Sequence, residues 1–411
     1  MANALGTAGR VGVDPMRLGR IDALMQGYVD RGVYAGIATM VARRGTVVQA
    51  GTYGWSDREA GTPMAADTIF RLYSMTKPVV CTALMTLVEE GRLTLVDPVA
   101  RYLPAFAGVK VLEPDGSLVD PARPMTVGDL MAHTSGLTYH FLGDSPVSRM
   151  YDDASILRAD VPLAEAVDDL ARYPLAAHPG SRWIYSLGID VAARLIEVVA
   201  GRPLADVLRE RLFAPLGMVD TGFGVAEEAR PRLAAMYGRP DLLRPGVTSP
   251  DARAAWAQGE NQRVDVSRTY PVDRAETFQR GGHGLFGTAG DYFRFAQMLC
   301  DGGTFEGRRI IGRKTLALMH ANRIPAALLP LEIGGLPLPG YGFGLGSRVL
   351  LDVAASAAPG SEGEFGWAGA AKTHFWVDPK EEVVAVFMTQ SLMSFDVPEL
   401  TMRAVVYQAL E

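Results

Sequence analysis

The sequence predicts an α/β platform that carries an inserted all-α domain. Helical and strand-like patterns occupy both ends of the 411-residue chain, whereas its middle is helical and interrupted by Pro, Gly and Asp. We therefore assign 1–95 and 285–411 to the platform and 96–284 to a mainly helical domain. Within that domain 226–280 is polar and weakly periodic, so we expect a long surface loop there.

The first part of the platform combines one helix with a hairpin. Apolar residues at helical spacing predict a helix over 16–32. Strand-like runs over 37–42 and 47–53, on either side of a short polar turn, predict a β-hairpin. An extended run over 68–73 then leads into a helix over 79–90, which Gly91 ends as a natural C′ residue.

The remaining elements follow from capping and periodicity. Thr126 and Thr288 are predicted to cap helices. The other predicted helices and strands are helices over 130–133, 189–200, 204–213, 291–299 and 397–410, and strands over 341–349, 367–377 and 383–389.

Composition excludes several classes of protein. The chain is 48% hydrophobic and 21% charged with a net charge of −6 and no basic run, which argues against nucleic-acid or anionic-membrane partners. Cys81 and Cys300 stand alone, and no histidine has metal-ligand spacing. Neither a secretory signal nor a stretch of about 20 apolar residues is present. We expect a soluble, cytoplasmic protein with no membrane partner.

Ser74 and Lys77 form the strongest chemical pattern, an S-x-x-K at the entrance of the predicted helix. Residues three apart share a helix face, so the Lys77 amine can reach the Ser74 hydroxyl. The positive end of the helix dipole disfavours an ammonium and favours an alkoxide there. The alternative is an N-cap serine followed by a solvated lysine, because so short a pattern often arises by chance.

Tyr185 is the candidate third member of this pair. It follows the turn 179–182 and precedes a helix, where its phenol could enter a cleft and relay a proton to or from a nucleophile. The alternative is an aromatic ring packed at a helix entrance.

Six stretches in the same order along the chain resemble the serine β-lactamase and penicillin-binding superfamily, most closely its family VIII carboxylesterase branch. They are Ser74–Lys77, Leu130–Leu137, Tyr185–Leu187, Leu212–Met218, Gly281–Leu285 and Phe365–Gly369. The resemblance implies a β-lactamase/transpeptidase-like α/β fold, in which helices flank an antiparallel β-sheet and an all-α domain is inserted.

The chain departs from the superfamily pattern at two places. Leu187 stands where the class C enzymes have the asparagine of Y-x-N, and Trp367 stands where the lysine of K-T-G would bind a substrate carboxylate. The resemblance therefore implies a neutral, apolar ester as substrate, with weak hydrolysis of β-lactams possible.

By the superfamily's mechanism, Ser74 would attack the carbonyl carbon, and Lys77 and Tyr185 would share the work of general base. The oxyanion would lie between the backbone N–H groups of Ser74 and Ala370. Trp367, Gly369 and Leu187 would contact the substrate, although Trp367 could equally be a core residue on a strand.

The resemblance thus implies a serine carboxylesterase that acts on a small-molecule ester and needs no cofactor. Alternatives that share its catalytic residues are an acyltransferase and an amidase or D-peptidase, and a further alternative is a non-catalytic penicillin-binding-like sensor. The sequence does not predict an oligomeric state. The glycines of 282–287 match G-x-G-x-x-G but lack a preceding strand, so we expect them to let a loop pass close to the active site.

Overall fold

The structure is a computed structural model that describes residues 8–142, 145–238, 240–251, 254, 261–392 and 398–411. The strands are β1 Gly36–Arg43, β2 Thr46–Asp57, β3 Thr62–Pro63, β4 Ile69–Arg71, β5 Val111–Leu112, β6 Leu118–Val119, β7 Tyr237–Gly238, β8 Phe286–Thr288, β9 Thr304–Phe305, β10 Arg308–Arg309, β11 Leu331–Ile333, β12 Leu336–Leu338, β13 Tyr341–Phe343, β14 Arg348–Leu350, β15 Phe365–Ala368, β16 His374–Asp378, β17 Val383–Met388 and β18 Ser391–Leu392.

The α-helices are α1 Pro15–Leu18, α2 Arg20–Asp30, α3 Thr76–Glu89, α4 Val127–Ala132, α5 Pro146–Asp153, α6 Leu163–Leu170, α7 Gly188–Ala200, α8 Leu204–Leu208, α9 Ala214–Leu216, α10 Ala289–Cys300, α11 Arg313–Met319, α12 Val353–Ser356 and α13 Pro398–Tyr407. Short 3₁₀ turns cover Tyr73–Met75, Val99–Arg101, Pro104–Gly108, His140–Leu142, Glu227–Arg232 and Ala326–Leu328, and a π turn covers Arg209–Phe213.

An eight-stranded antiparallel sheet forms the centre of the molecule, in the order β13-β14-β15-β16-β17-β1-β2-β3. The predicted hairpin is confirmed as β1 and β2, and the predicted strand 383–389 is β17. The single strands predicted over 341–349 and 367–377 are each wrong, because each is a hairpin. Glycine and left-handed backbone make the turns, with φ of 92° at Gly346 and 62° at Lys372.

Helices cover both faces of the sheet, which explains why β17 is buried along its whole length. Val383, Ala385 and Phe387 lie in the core formed with α2 and α13, whereas alternate residues of the same strand join the larger core. Helix α10 packs against β16 and β17 on that second side. A strand alternates its side chains between faces, so a strand covered on both sides needs apolar residues throughout.

The helical middle of the chain is centred on α7, which packs against α3, α4 and α6. The predicted caps are confirmed: Thr126 forms a capping box with Asp129, and the Thr288 hydroxyl accepts a hydrogen bond from the Asp291 N–H. Gly91 has the expected positive φ of 69° after α3. The division into a platform and an inserted domain stays a prediction.

The segment 226–280 differs from the expected surface loop, as far as its residues are described. Tyr270 is fully buried, and its ring lies 4.8 Å from that of Tyr73, beside the nucleophile candidate. Val266 and Phe278 are buried as well. These apolar residues are widely spaced, so they produce no helix or strand period although they anchor the segment to the core.

In the part of the chain that the structure describes, none of the helices has the length and hydrophobicity needed to span a lipid bilayer.

Candidate active site

Ser74 lies on a short connection between the strand β4 and the helix α3. β4 pairs with β8, and the Leu72 N–H then donates a hydrogen bond of 2.9 Å to the Leu285 carbonyl. Tyr73 has a left-handed backbone with φ of 46°, which is an uncommon conformation for a bulky residue. This sharp turn places Ser74 half-buried at the entrance of α3, where the sequence predicted it.

Lys77 is fully buried one helical turn later, and its amine points back at Ser74. Its Nζ donates to Ser74 Oγ at 3.1 Å and to the Gly282 carbonyl at 2.7 Å. The rings of Tyr185 and Tyr139 lie 4.5 and 5.3 Å from Nζ. The alternative of a solvated lysine is excluded by this burial.

Tyr185 completes the cluster from the other side of Ser74. Its hydroxyl donates to Ser74 Oγ at 2.6 Å and accepts a longer contact of 3.4 Å from the Trp367 indole N–H. The structure thus brings Ser74, Lys77, Tyr185 and Trp367 together from four separate elements. Tyr185 is buried, as its packing alternative also requires, but its hydroxyl reaches the nucleophile candidate.

His133 supports Tyr185 from behind. Its ring lies 4.8 Å from that of Tyr185, and its Nδ1 accepts a hydrogen bond of 3.2 Å from the Ser186 N–H. Burial and then the charge of Lys77 hold the pKa of His133 well below its usual value. A neutral, buried imidazole is suited to packing behind Tyr185.

Asp190 is a site residue that the sequence analysis missed, because an acidic residue in the first turn of α7 is already explained by the helix dipole. Its buried carboxylate accepts the Gly282 N–H at 3.0 Å, and the Gly282 carbonyl accepts from Lys77. Burial raises the pKa of Asp190, and the charge of Lys77 opposes that rise. One feature of the sequence could have indicated its role: it is an acidic residue among the apolar residues of 189–193.

Gly282 is fixed by the same arrangement. A Cβ on Gly282 would lie against the Asp190 carboxylate and 2.7 Å from the Tyr139 hydroxyl oxygen. The prediction that these glycines allow a close approach to the site is therefore confirmed at this position. Tyr139 itself was missed, since nothing in its sequence surroundings separates it from other buried aromatic residues.

The two backbone N–H groups predicted to hold an oxyanion belong to Ser74 and Ala370. Within the described part of the chain, neither N–H donates to another group. Gly369, between β15 and Ala370, packs so closely that a Cβ would meet the Leu72 carbonyl and the Thr373 hydroxyl. The Thr373 hydroxyl donates to that same carbonyl at 3.1 Å. These contacts join the Ala370 turn to the Ser74 turn.

Trp367 and Leu187 replace polar groups of the superfamily pattern with buried apolar surface. Trp367 is 4% exposed and Leu187 is 3% exposed. The Leu187 N–H donates to the Thr138 carbonyl at 3.3 Å, while its side chain belongs to the core. Leu187 is therefore placed as a packing residue next to the cluster, and Trp367 is a core residue that also contacts Tyr185.

A cleft of about 310 Å³ opens beside Tyr185. Its walls combine apolar residues with two charged ones: Trp183, Leu328, Pro330, Leu331, Arg182 and Glu332. An alcohol or acyl group of modest size fits such a cleft. A serine hydroxyl held by an amine and a phenol, with a cleft beside the phenol, is suited to acyl transfer.

Comparison with known proteins agrees with this geometry. The Beta-lactamase family model matches residues 21–408. Protein Rv1367c of Mycobacterium tuberculosis is 36% identical over 91% of this chain and 90% of its own. Esterase EstB of Burkholderia gladioli is 35% identical over 87% of this chain and 86% of its own.

Among solved structures, "EstCE1, a hydrolase with promiscuous acyltransferase activity" has a TM-score of 0.79 and 29% identity, covering 96% of this chain and 99% of its own. The predicted β-lactamase/transpeptidase-like fold and the resemblance to family VIII esterases are confirmed. The chain belongs to the beta-lactamase family of serine hydrolases.

Proposed function

We propose that this protein is a serine carboxylesterase that hydrolyses short-chain esters through an acyl-enzyme on Ser74. The observation that carries the proposal is the double contact of Ser74 Oγ, 3.1 Å from the Lys77 amine and 2.6 Å from the Tyr185 hydroxyl. A serine hydroxyl must lose its proton when it attacks a carbonyl carbon. The Lys77 amine and the Tyr185 oxygen are both close enough to take that proton.

In the first half-reaction, Ser74 Oγ bonds to the ester carbonyl carbon and its proton passes to the Lys77–Tyr185 pair. The N–H groups of Ser74 and Ala370 bind the resulting oxyanion. When the C–O bond of the leaving group breaks, Tyr185 returns the proton to the departing alkoxide. A water molecule then attacks the acyl-enzyme by the same sequence, and the carboxylic acid leaves.

Lys77 and Tyr185 share that proton as a coupled pair. The Lys77 amine lies over the face of the Tyr185 ring at 4.5 Å. The Gly282 carbonyl accepts a second hydrogen bond from the amine at 2.7 Å, which fixes the amine beside Ser74. A proton can move between the two through Ser74 Oγ, which both contact.

The surroundings favour an ester over an anionic β-lactam. Trp367 occupies the place of a cation that would bind a substrate carboxylate, and its indole lies against Tyr185. The esterase name of the EstB relative supports the same choice.

Acyl transfer to an alcohol is a second candidate, and the cleft favours it. Walls made by Trp183, Leu328, Pro330 and Leu331 could hold an alcohol in place of water after the first half-reaction. EstCE1, the hydrolase with promiscuous acyltransferase activity, combines both reactions in one protein of similar fold. Product analysis with added butanol separates the two, since transfer yields a butyl ester.

The test is turnover of p-nitrophenyl butyrate by wild type, Ser74→Ala and the control Ser181→Ala. Ser181 lies on the exposed turn before Tyr185, and among the described residues its hydroxyl donates to the His178 carbonyl alone. We expect Ser74→Ala to lose at least about 10³-fold in kcat/KM and Ser181→Ala to keep wild-type activity. Retained turnover in a folded Ser74→Ala protein would remove Ser74 as the nucleophile. Faster turnover of nitrocefin than of the ester would assign the protein as a β-lactamase instead.

A further inference from the structure

Arg71 is a buried cation without an acidic partner. Its side chain is 7% exposed, and none of the described carboxylates forms an ion pair with it, although Asp241 and Asp265 attract it from a longer distance. Nη1 makes one long contact of 3.4 Å to the Ala234 carbonyl, Nε has no hydrogen-bond partner, and the guanidinium lies 5.6 Å from the Phe286 ring centre. Desolvation lowers the pKa of Arg71.

Other buried arginines of the same chain have charged or closer partners at their terminal nitrogens, although the Nε atoms of Arg280, Arg348 and Arg403 lack a partner as that of Arg71 does. Arg43, Arg348 and Arg403 each pair with a glutamate. Arg280 donates to two backbone carbonyls at 2.8 Å. Burying a guanidinium without such partners is costly, because the group gives up its hydration. Arg71 therefore stands out as a buried donor group that an external anion could complete.

A cavity of about 640 Å³ opens onto Arg71. Leu233, Met236, Val264 and Val266 contribute apolar walls. It shares no lining residue with the cleft beside Tyr185. The cavity thus combines a single buried cation with apolar surface, which is the pattern of a site for an amphipathic anion.

The charged residues at the rim do not supply the missing partner. Asp57 pairs with Arg263 at 3.0 Å, and Asp265 accepts the Ser267 N–H at 2.8 Å. Arg230 is exposed, and its Nε contacts the Val225 carbonyl at 3.5 Å. The two cations and two carboxylates of the rim balance each other, so Arg71 supplies the net positive charge of the cavity and has no ion-pair partner among the described residues.

We propose that this cavity binds a small organic carboxylate, whose charged end pairs with Arg71 and whose apolar body lies against Leu233, Met236 and Val264. This site is separate from the Ser74 cluster and does not depend on the proposed esterase activity. Arg71 nevertheless precedes Ser74 by three residues, and its backbone N–H and C=O are held by the Gln390 side chain at 3.0 and 3.2 Å.

Calorimetric titration with sodium hexanoate tests the proposal, with sodium chloride added to keep the ionic strength constant. Hexan-1-ol shares the apolar body without the charge, and inorganic phosphate shares the charge without the body. We expect saturable 1:1 binding of hexanoate, with each of the other two probes at least tenfold weaker. Binding of phosphate as tight as that of hexanoate would overturn the assignment of an organic carboxylate.

The matched variants are Arg71→Gln and Arg230→Gln, which remove a buried and an exposed cation from the same cavity. We expect at least a tenfold loss of hexanoate affinity in Arg71→Gln and less than a threefold loss in Arg230→Gln. An unchanged affinity in folded Arg71→Gln would refute the proposal.

Hydrogen–deuterium exchange on the wild-type protein gives a second readout, which does not require the Arg71 variant to fold. We expect hexanoate to slow exchange in peptides that cover 233–236 and 263–266. Slowing confined to 182–185 and 331–335 would place the ligand in the cleft beside Tyr185, and no change anywhere would show that no site exists. Either result would contradict the proposed site.

Discussion

Replacing Tyr185 with phenylalanine removes one oxygen atom from the Ser74 cluster and leaves the packing in place. The lost hydroxyl lies 2.6 Å from Ser74 Oγ, in position to take the proton of the nucleophile and return it to the leaving group. The loss of a general acid or base typically costs 10²–10⁴-fold, or about 3–5 kcal/mol of activation free energy. We expect kcat/KM for p-nitrophenyl butyrate to fall within that range.

The effect on stability should be much smaller than the effect on rate. The ring of Tyr185 keeps its contacts with His133 and Trp367, at 4.8 and 5.6 Å between ring centres. The one partner left without an acceptor is the Trp367 indole N–H, whose contact with the hydroxyl is already long at 3.4 Å. We therefore expect a loss of about 1 kcal/mol or less in the free energy of unfolding.

Tyr139→Phe is the matched control. Its ring lies 5.4 Å from that of Tyr185 and 5.3 Å from Lys77 Nζ, but its hydroxyl is not bonded to Ser74. Stopped-flow release of p-nitrophenol should show less than a tenfold loss in kcat/KM for this variant. The reasoning fails if Tyr185→Phe also loses less than tenfold, or if the two variants lose activity equally.

Three further changes test the surroundings of the cluster. Asp190→Asn keeps an acceptor for the Gly282 N–H but removes a buried carboxyl group that titrates, so the protein should lose the pH dependence of stability that this group supplies. Gly282→Ala should cost about 1–3 kcal/mol in unfolding free energy and most of the activity, because its Cβ would displace the carbonyl that holds Lys77. Arg403→Met should cost about 3–5 kcal/mol, because it strands a buried carboxylate.

Each of these changes has a measurement and a contradicting result. The pKa of Asp190 is higher in the folded than in the unfolded state. Between these two pKa values the folded protein holds a proton that the unfolded chain has lost. The free energy of unfolding therefore falls as pH rises through this range. Urea unfolding at several pH values should show that the free energy of unfolding of Asp190→Asn falls less with rising pH than that of the wild type. The same pH dependence in both proteins would contradict this expectation. Gly290→Ala, whose Cβ meets nothing closer than 3.8 Å, controls for Gly282→Ala, and equal losses would refute the close approach at Gly282. If Arg403→Met unfolds at the same urea concentration as the wild type, the buried pair of Arg403 and Glu364 makes no net contribution to stability.

The residues that could be predicted from the sequence are those whose signals are local. Ser74 and Lys77 lie three residues apart at a helix entrance, so one helical turn was enough to predict their contact. Thr126 and Thr288 were recognisable as caps because a capping residue bonds within its own first turn. The hairpin of β1 and β2 needed only two alternating runs and a short polar turn.

The remainder depends on contacts between distant parts of the chain. Asp190 meets Gly282 from 92 positions away, and its first-turn position on α7 already had a sufficient local explanation. Tyr270 reaches the core beside Tyr73 from a segment that shows no period. Two predicted strands are split by turns at Gly346 and Lys372: Gly346 was an overlooked local signal, whereas a lysine gives no sign of a positive φ. Tertiary packing decides such features, and no short window of sequence contains them.

An acyl-enzyme on Ser74 is tested most directly by the mass of the protein quenched in acid during turnover of p-nitrophenyl butyrate, followed by peptide mapping. We expect a transient gain of one butyryl group, located on the peptide that contains Ser74 and absent from Ser74→Ala. Turnover without any covalent adduct, or an adduct on another residue, would contradict Ser74 as the nucleophile.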